Sequence, residues 1–187
     1  MQIDAQDYLD MAEESGKLVF FDIEATGLKG NYNSVLVVSL KPYGEEPYSF
    51  HIEAVGNDQK VLREAKTELE SYHCWVSYYG KGFDIPMLQT RLLKWGQRPI
   101  ESRHHIDMYY VGKSHTLLSP RSMAAVASFL GTPEQKMSVG PDAWSEMGFN
   151  MKKHMPTMIK RCESDTAVLE DVYKKQRHII KDIKKQS

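Results

Sequence analysis

Residues 20–28, Phe-Phe-Asp-Ile-Glu-Ala-Thr-Gly-Leu, decide the fold prediction for this chain. The apolar, β-branched run that leads into them predicts a central strand. Because side chains alternate across a strand, Asp22 and Glu24 should lie on the same face. Two carboxylates side by side near a core repel each other and need a compensating cation. Oxygen ligands of this kind suit Mg²⁺ or Mn²⁺, although a strand that simply ends in polar residues at a sheet edge would give the same pattern.

Asp165 is a second acid that needs an explanation. It lies three residues after Cys162 and four before Leu169, inside the apolar stripe of the predicted last helix. A carboxylate on that face needs a partner, because an unpaired charge beside a core is costly. The partner is either Arg161, one turn earlier in an ordinary i, i+4 pair, or a metal ion.

Asp84 occurs in the segment Gly80-Lys-Gly-Phe-Asp-Ile-Pro86, which predicts a helix N-cap with a proline in the first turn. Capping and metal binding are compatible, because an acid at the mouth of a helix lies beside the end of the preceding strand. Asp107, at the end of another predicted strand, is a weaker candidate for the same site. The histidines and cysteines show no zinc-type spacing, and neither a phosphate-binding glycine loop nor a nucleophile elbow occurs.

Composition restricts the class of protein. The chain has 187 residues, 41% of them hydrophobic and 26% charged, which predicts one globular domain over residues 1–187. No apolar run reaches the ~20 residues that span a bilayer, and the acidic start of the chain predicts no signal peptide, so we expect an intracellular, cytoplasmic protein without a membrane partner. The two cysteines predict reduced core residues. A net charge of −1 argues against a charge-driven nucleic-acid coat protein.

The periodicity of apolar residues predicts a mixed sheet flanked by helices. In chain order, the predicted elements are a helix over 4–15, a strand over 17–24, a hairpin of strands over 34–40 and 47–52, a helix over 58–70, a strand over 74–79, a helix over 85–95, a strand over 104–108, and helices over 120–130 and 155–183.

Three segments together resemble the DEDD, or DnaQ-like, exonuclease superfamily. Phe21-Asp-Ile-Glu-Ala-Thr-Gly-Leu28 looks like its first motif, and Tyr79-Gly-Lys-Gly-Phe-Asp-Ile-Pro-Met-Leu88 looks like the second motif of the exonuclease domains of family B polymerases. Cys162-Glu-Ser-Asp-Thr-Ala-Val-Leu-Glu-Asp-Val-Tyr173 resembles the third. The motifs follow the family's order, in strand, strand-to-helix and helix contexts, and the resemblance spans residues 17–175. No polymerase domain fits beside them, so we expect the exonuclease alone.

The resemblance implies a fold, an activity and a set of roles. The fold is α/β and ribonuclease H-like, with a mixed five-stranded sheet flanked by helices and the third strand antiparallel. The activity is metal-dependent 3′→5′ exonuclease cleavage of single-stranded DNA or RNA to nucleoside 5′-monophosphates, with two Mg²⁺ or Mn²⁺ ions. Asp22 would bridge both ions, Glu24 and Asp165 would hold the ion that carries the attacking water, and Asp84 would support the other. The expected substrate contacts are Thr26, Gly27, Leu28, Phe83 and Arg161.

The third motif departs from the family in one respect. The family places a Tyr four residues, or a His five residues, before the last Asp, where this chain has Arg161 and Lys160. Arginine stays charged and is no proton acceptor, and lysine is a poor one among carboxylates. His154, expected just before the last helix, is an alternative base, because imidazole exchanges protons near neutral pH. The other alternative is that two cations alone lower the pKa of the water.

Two further functions remain open. The missing Tyr or His motivates a catalytically weak or inactive DEDD-fold module that binds nucleic acid or a protein. An endonuclease that cuts structured RNA or hybrids would keep the same metal ligands. No motif distinguishes DNA from RNA, because that choice depends on how a 2′-OH is received. Residues that would suit base stacking or phosphate contact, but equally suit packing or solvation, are Tyr78, Phe83, Trp144, Lys81, Lys113, Arg121, Lys152 and Lys153.

Overall fold

The computed structural model describes residues 4–133, 137, 146 and 150–186. In chain order, the elements are α1 (Ala5–Glu14), β1 (Leu18–Ala25), β2 (Val35–Pro42), β3 (Tyr48–His51), α2 (Gln59–Ser71), β4 (Cys74–Ser77), α3 (Asp84–Lys94), β5 (Arg103–Asp107), α4 (Met108–His115), α5 (Met123–Leu130), α6 (Met151–Gln176), a 3₁₀ turn (Arg177–Ile179) and β6 (Lys184–Gln186).

The strands form one mixed sheet in the order β3-β2-β1-β4-β5-β6. Strands β1, β4 and β5 are parallel to one another, and β2 runs antiparallel to both β1 and β3. The α/β prediction of a mixed sheet flanked by helices is confirmed. The expectation that the third strand is the antiparallel one is wrong, because direct turns connect β2 to β1 and to β3, so that both neighbours run opposite to β2.

The sheet has six strands rather than five, and α4 is a further unpredicted element. Strand β6 pairs antiparallel with the outer edge of β5, where Lys184 faces His105. Its lysine-rich sequence has no strand pattern, so the available edge of β5 determines its conformation. The last helix, predicted over 155–183, instead begins at Met151 and ends at Gln176, before the chain turns towards that edge.

The alternation of side chains in β1 divides the core between the two faces of the sheet. Phe21 packs in a cluster with buried residues of α2 and α3, whereas Phe20 packs with residues of α1, α5 and the second half of α6. Asp22 and Glu24 lie on the same face of β1 as Phe20, because side chains two residues apart in a strand point the same way. The sequence therefore places two acids on a largely apolar face of β1, beyond Phe20, the last core residue on that face.

Both cysteines, Cys74 and Cys162, are buried and free, as predicted. Among the described helices, none is long and apolar enough to cross a lipid bilayer. The stretch predicted as loop over 132–153, which includes Trp144, lies mostly outside the described residues.

Candidate metal centre

Three carboxylates meet where the end of β1 contacts α6. One carboxylate oxygen from each of Asp22, Glu24 and Asp165 lies within 4.8 Å of the other two. The β1 acids share a face, because side chains two apart in a strand point the same way, and Asp165 approaches them from α6. Asp22 is half-buried, whereas Glu24 and Asp165 are only 6% and 2% exposed.

Asp84 approaches the same strand from α3. It is the first residue of that helix, rather than the N-cap that the sequence predicts, and the N-cap position belongs to Phe83. The Oδ1 of Asp84 accepts a hydrogen bond of 3.2 Å from the backbone N–H of Ile23, the residue between the two β1 acids. Burial, and then the charge of Asp22, raise the pKa of the Asp84 carboxyl well above its usual range. The four acids that the sequence singles out thus converge on one end of β1.

Arg161 supplies a positive charge within this cluster. Its Nε lies 2.9 Å from Oε1 of Glu24 and 4.0 Å from Oδ2 of Asp165. The i, i+4 pair with Asp165 that the sequence suggests is therefore the longer contact, and the shorter one crosses from α6 to β1. The guanidinium is 19% exposed, so it is only partly screened by solvent.

The donor set fits a hard divalent cation. The four acids offer only oxygen ligands, and with one guanidinium among them they keep a formal charge of −3 when all are ionised, or −2 when Asp84 is protonated. Burial, and then the charge of Asp22, raise the pKa of the adjacent Cys162 thiol well above its usual range. The thiol therefore stays protonated and donates a hydrogen bond of 3.3 Å to the backbone carbonyl of Asp22. A soft, thiolate-bound metal does not suit this arrangement.

Asp107 fixes the turn that leads into α3. Its carboxylate accepts backbone N–H bonds from Tyr79 at 2.8 Å, Lys81 at 2.9 Å and Tyr109 at 3.1 Å. These bonds occupy both of its oxygens, and Asp107 is not part of the group of three close carboxylates. It positions the turn before Asp84, and its charge contributes to the raised pKa of the Asp84 carboxyl.

The first glycine of the second motif is required by close packing. A Cβ on Gly80 would lie 2.3 Å from Oγ of Ser77, which itself forms a 2.7 Å hydrogen bond with Nε2 of the buried His105. Only glycine lets the chain pass this close to β4 before it turns into α3.

A cleft of about 480 Å³ opens beside Asp22. Its wall includes Tyr78, Tyr79, Tyr109 and Arg121. The Oη of Tyr78 donates a 2.7 Å hydrogen bond to the backbone carbonyl of Arg121, and burial is the main cause that raises the pKa of Tyr78 to about 12. The Tyr78 phenol is therefore a protonated, anchored part of the wall and not a proton acceptor at neutral pH.

A second hollow, of about 400 Å³, contains the side chains predicted to contact a terminal nucleotide. Leu28 and Phe83 line it together, and Leu28 is 78% exposed. The loop before Leu28 is held by Thr26, whose hydroxyl accepts a 3.0 Å hydrogen bond from the backbone N–H of Ser34. A Cβ on Gly27 would lie 2.6 Å from the side-chain oxygen of Asn33, so this asparagine would have to shift. The structure thus brings Leu28 of the first motif and Phe83 of the second motif to one hollow, and Thr26 and Gly27 directly precede Leu28 in the loop.

The structure does not bring His154 to the carboxylates. It lies inside the first turn of α6 rather than in a loop before the helix, and its Nε2 is 2.8 Å from Oε2 of Glu146. Eleven residues separate His154 from Asp165 along α6, which corresponds to roughly 16 Å of helical rise. In this arrangement His154 pairs with Glu146 and not with an acid of the carboxylate cluster.

Sequence reasoning named Tyr78 as a stacking candidate but missed Tyr79, Tyr109 and Tyr110. Tyr79 and Tyr109 contact each other at a ring-centroid distance of 5.0 Å, and Tyr110 lies 6.1 Å from Tyr79. The signal in the sequence was two pairs of adjacent tyrosines, one at the end of a predicted strand, at 78–79, and one directly after the next predicted strand, at 109–110. The parallel pairing of β4 and β5 brings the two pairs together at one edge of the sheet.

Comparisons with known proteins agree with this architecture. Residues 19–176 match the model of the RNase H superfamily. No curated protein matches the chain. The solved structure of the family B DNA polymerase from the hyperthermophilic archaeon Pyrobaculum calidifontis is similar, with a TM-score of 0.65 and 17% sequence identity over 83% of this chain and 24% of the polymerase. The chain thus spans about a quarter of that polymerase, and at this identity the likeness shows the fold alone. Because the family match covers most of its length, this chain belongs to the RNase H superfamily.

Proposed function

We propose that residues 1–187 act as a metal-dependent 3′→5′ exonuclease that removes nucleoside 5′-monophosphates from single-stranded DNA or RNA. The observation that carries the proposal is the convergence of four acids from β1, α3 and α6 on one end of the sheet, with three of them within 4.8 Å. Buried carboxylates at this density are unfavourable without a cation, and their oxygens suit two Mg²⁺ or Mn²⁺ ions. The RNase H superfamily match and the polymerase-like fold agree with a nuclease.

Each of the four acids would bind one or both of the ions. Asp22, which faces both the carboxylate cluster and the 480 Å³ cleft, would bind both ions. Glu24 and Asp165 would hold one of them, and Asp84 would support the other. When bound, two such ions lower the pKa of an attacking water and stabilise the leaving 3′-oxygen.

The residues around the cluster would orient the strand end. The exposed Leu28 and the neighbouring Phe83 form a hollow of about 400 Å³, which suits one terminal nucleotide. Thr26 and Gly27 directly precede Leu28 in the chain, and their backbone would contact the sugar of the terminal nucleotide. Contacts of this kind do not depend on base identity, so low sequence specificity is expected.

No side chain beside the cluster is a suitable general base among the described residues. Arg161 stands one turn before Asp165, where the family has a tyrosine, and a guanidinium does not accept protons. Tyr78 is held protonated, and His154 is too far along α6. We therefore favour activation of the water by the two cations without a dedicated base, and Arg161 would instead contact the scissile phosphate.

Calorimetric titration with Mn²⁺, combined with hydrolysis of the p-nitrophenyl ester of thymidine 5′-monophosphate, tests the metal chemistry apart from strand binding. The wild type should bind two ions and hydrolyse the ester until EDTA is added. Asp22→Asn should lose both properties, whereas Asp7→Asn, the same change at an exposed acid on α1, should lose neither. Failure of the wild type to bind Mn²⁺ would refute the proposal.

The ion pair between Arg161 and Glu24 favours a second candidate. In that case the guanidinium takes the place of a cation, and the domain binds nucleic acid or a protein with little or no catalysis. The same titration separates the two candidates: no binding of Mn²⁺ at millimolar concentration, with unimpaired binding of a single strand, would favour the non-catalytic module.

A further inference from the structure

We propose that the 480 Å³ cleft beside Asp22 is part of a second nucleotide subsite: Tyr79 on the cleft wall and the adjoining Tyr110 stack unpaired bases, and Arg121 binds the neighbouring phosphate. This inference rests on the proposed function, because it assigns a path to the strand whose end lies at the carboxylate cluster. The subsite is separate from the Leu28–Phe83 hollow, which would hold the terminal nucleotide.

Tyr79 is held in an unusual backbone conformation. Its φ is +66°, a left-handed value that non-glycine residues rarely adopt. Its N–H is fixed by Asp107 at 2.8 Å, and its carbonyl accepts the N–H groups of Gly82 and Phe83. A Cβ on Gly82 would lie 2.5 to 2.8 Å from the outer carbons of the Tyr79 ring, so this glycine lets the ring lie directly on the backbone of the turn. The turn thus holds a large aromatic ring in one fixed position.

The ring is fixed but not buried. Tyr79 is 45% exposed and Tyr110 is 38% exposed. The two rings lie 6.1 Å apart and are tilted by only 27°, so they form nearly parallel aromatic surfaces. Tyr109 packs edge-on against both, at 5.0 Å and 5.2 Å. A rigid, solvent-facing pair of parallel rings is the arrangement on which successive unpaired bases stack.

Cations occur beside this aromatic pair. Arg121 lies on the wall of the cleft, and its buried Nε has no hydrogen-bond acceptor within the part of the chain that the structure describes. Buried guanidinium nitrogens normally have an acceptor, so an anion in the cleft would supply it. The Nζ of Lys113 lies 6.0 Å from the centre of the Tyr110 ring. Aromatic faces flanked by Arg and Lys suit the alternation of bases and phosphates in a single strand.

Continuity with the metal centre identifies the occupant. The cleft begins at Asp22, so a strand that enters it would reach the carboxylates without leaving the surface. Bases paired in a duplex cover their neighbours and do not offer free faces to two tyrosines. The occupant is therefore a single strand, DNA or RNA.

Fluorescence anisotropy of a labelled single strand, measured in EDTA so that no cleavage occurs, tests this subsite on the full chain. Tyr110→Ala and Tyr79→Asn should each weaken binding about 5- to 150-fold, the range for loss of one stacked base. Asparagine is chosen because it tolerates the left-handed conformation. Tyr110→Phe should bind as the wild type does, and Phe129→Ala, which removes a ring that is 70% exposed on α5, should have no effect.

An abasic scan makes the result specific for stacking. Replacing one nucleotide at a time with an abasic residue should reveal a position near the 3′ end where the loss equals that of Tyr110→Ala. At that position, the abasic residue and Tyr110→Ala combined should weaken binding no more than either change does alone. Wild-type affinity in both tyrosine variants, or full additivity at every position, would overturn the subsite. If the subsite fails this test but the wild type still hydrolyses the ester, the proposed metal chemistry is retained. If the wild type neither binds the strand nor hydrolyses the ester, the proposed function itself is refuted.

Discussion

The guanidinium of Arg161 lies 2.9 Å from the carboxylate of Glu24, so the cluster already contains one cation of its own. This cation interacts with the two acids, Glu24 and Asp165, that the proposed function assigns to one metal ion. A divalent ion and a guanidinium on the same oxygens compete, because each carboxylate has a limited number of lone pairs. Metal binding should therefore require Arg161 to move away from Glu24.

Removing Arg161 should strengthen metal binding. In Arg161→Ala the competing charge is lost, and we expect the affinity for Mn²⁺ to rise about 10-fold, equivalent to about 1.4 kcal/mol. The metal-free protein should become less stable, because its carboxylates lose their counter-charge. Titration calorimetry and thermal unfolding with and without Mn²⁺ measure both effects.

Lys160→Ala is the matched control for this prediction. It removes the same formal charge from the neighbouring, exposed position on α6 and should leave the affinity unchanged. If Arg161→Ala binds Mn²⁺ more weakly than the wild type, Arg161 supports the ion rather than competing with it.

Asp84→Asn should stabilise the metal-free protein. Burial and the charge of Asp22 raise the pKa of the Asp84 carboxyl, so the folded state prefers the protonated form. Ionisation therefore costs stability as the pH rises from the ordinary carboxyl range to the folded-state pKa, and the amide avoids that cost. An amide oxygen can still accept the Ile23 N–H bond. We expect a rise of roughly 2–4 °C in Tm at neutral pH, the shift for about 1 kcal/mol in a domain of this size.

The rise in Tm of Asp84→Asn over the wild type should shrink as the pH falls into the ordinary carboxyl range. With Mn²⁺ bound to the wild type, Asp84→Asn should instead have the lower Tm. Burial raises the pKa of Asp107 too, but its two oxygens accept three backbone N–H bonds that an amide cannot fully retain, so Asp107→Asn is the contrasting control. It should lower Tm. A lower Tm for Asp84→Asn as well would show that ionisation of the Asp84 carboxyl does not destabilise the folded protein.

Asp58→Asn should destabilise the fold strongly. Burial alone would raise the pKa of Asp58, but hydrogen bonds from Arg91 at 2.8 Å and 2.9 Å, from Trp95 at 2.7 Å and from Val35 N at 3.0 Å outweigh it and leave the pKa below its usual value. The amide leaves the buried Arg91 without its counter-charge, and we expect a loss of about 3 kcal/mol in urea unfolding. Glu53→Gln, at an exposed ion pair, should change stability by less than ~1 kcal/mol.

The pH dependence of Asp58 has the opposite sign to that of Asp84. Because its folded-state pKa is lowered, its carboxylate contributes stability above the unfolded-state pKa, and that contribution is lost as the pH falls through the folded-state value. The difference in unfolding free energy between wild type and Asp58→Asn should therefore narrow in acid. A difference that stays constant below pH 4 would contradict the lowered pKa.

The strands that position the acids were predictable because their signals are local. An apolar run ending in Asp22 and Glu24 predicts a strand with two acids on one face, and the structure has that strand as β1. The edge strand β6 was not predictable, since it forms on a partner that the local sequence does not reveal. Helix α4 was missed because Tyr109, Tyr110 and Gly112 interrupt any helical pattern, and its start depends on the capping carboxylate of Asp107.

The carboxylate cluster was likewise more predictable than its surroundings. Each acid stood out against an apolar pattern within its own element, but Arg161 had an obvious local partner in Asp165, and its shorter contact with Glu24 depends on how α6 lies against β1. The tyrosine cleft depends on the parallel pairing of β4 with β5, where Ser77 faces Asp107. Such long-range pairings leave no trace in a local pattern.

His154→Ala should leave catalysis nearly unchanged. Its imidazole is paired with Glu146 at 2.8 Å, far along α6 from the carboxylates. A general base normally contributes ~100-fold or more to the rate, so the expected change of less than about 3-fold is distinguishable. The measurement is a pH–rate profile of both proteins. A 100-fold loss, together with disappearance of the limb near pH 6–7, would restore His154 as the base.

Degradation of a 5′-labelled single strand tests the central claim most directly. With Mg²⁺ or Mn²⁺, the wild type should produce a ladder that shortens from the 3′ end, and a 3′-terminal phosphate should slow it. Matched DNA and RNA strands report the preferred sugar. The ladder should vanish in EDTA and in Asp22→Asn and persist in Asp7→Asn. Efficient cleavage of closed circles, release of mononucleotides from the 5′ end, or full activity in Asp22→Asn would contradict a metal-dependent 3′→5′ exonuclease centred on Asp22.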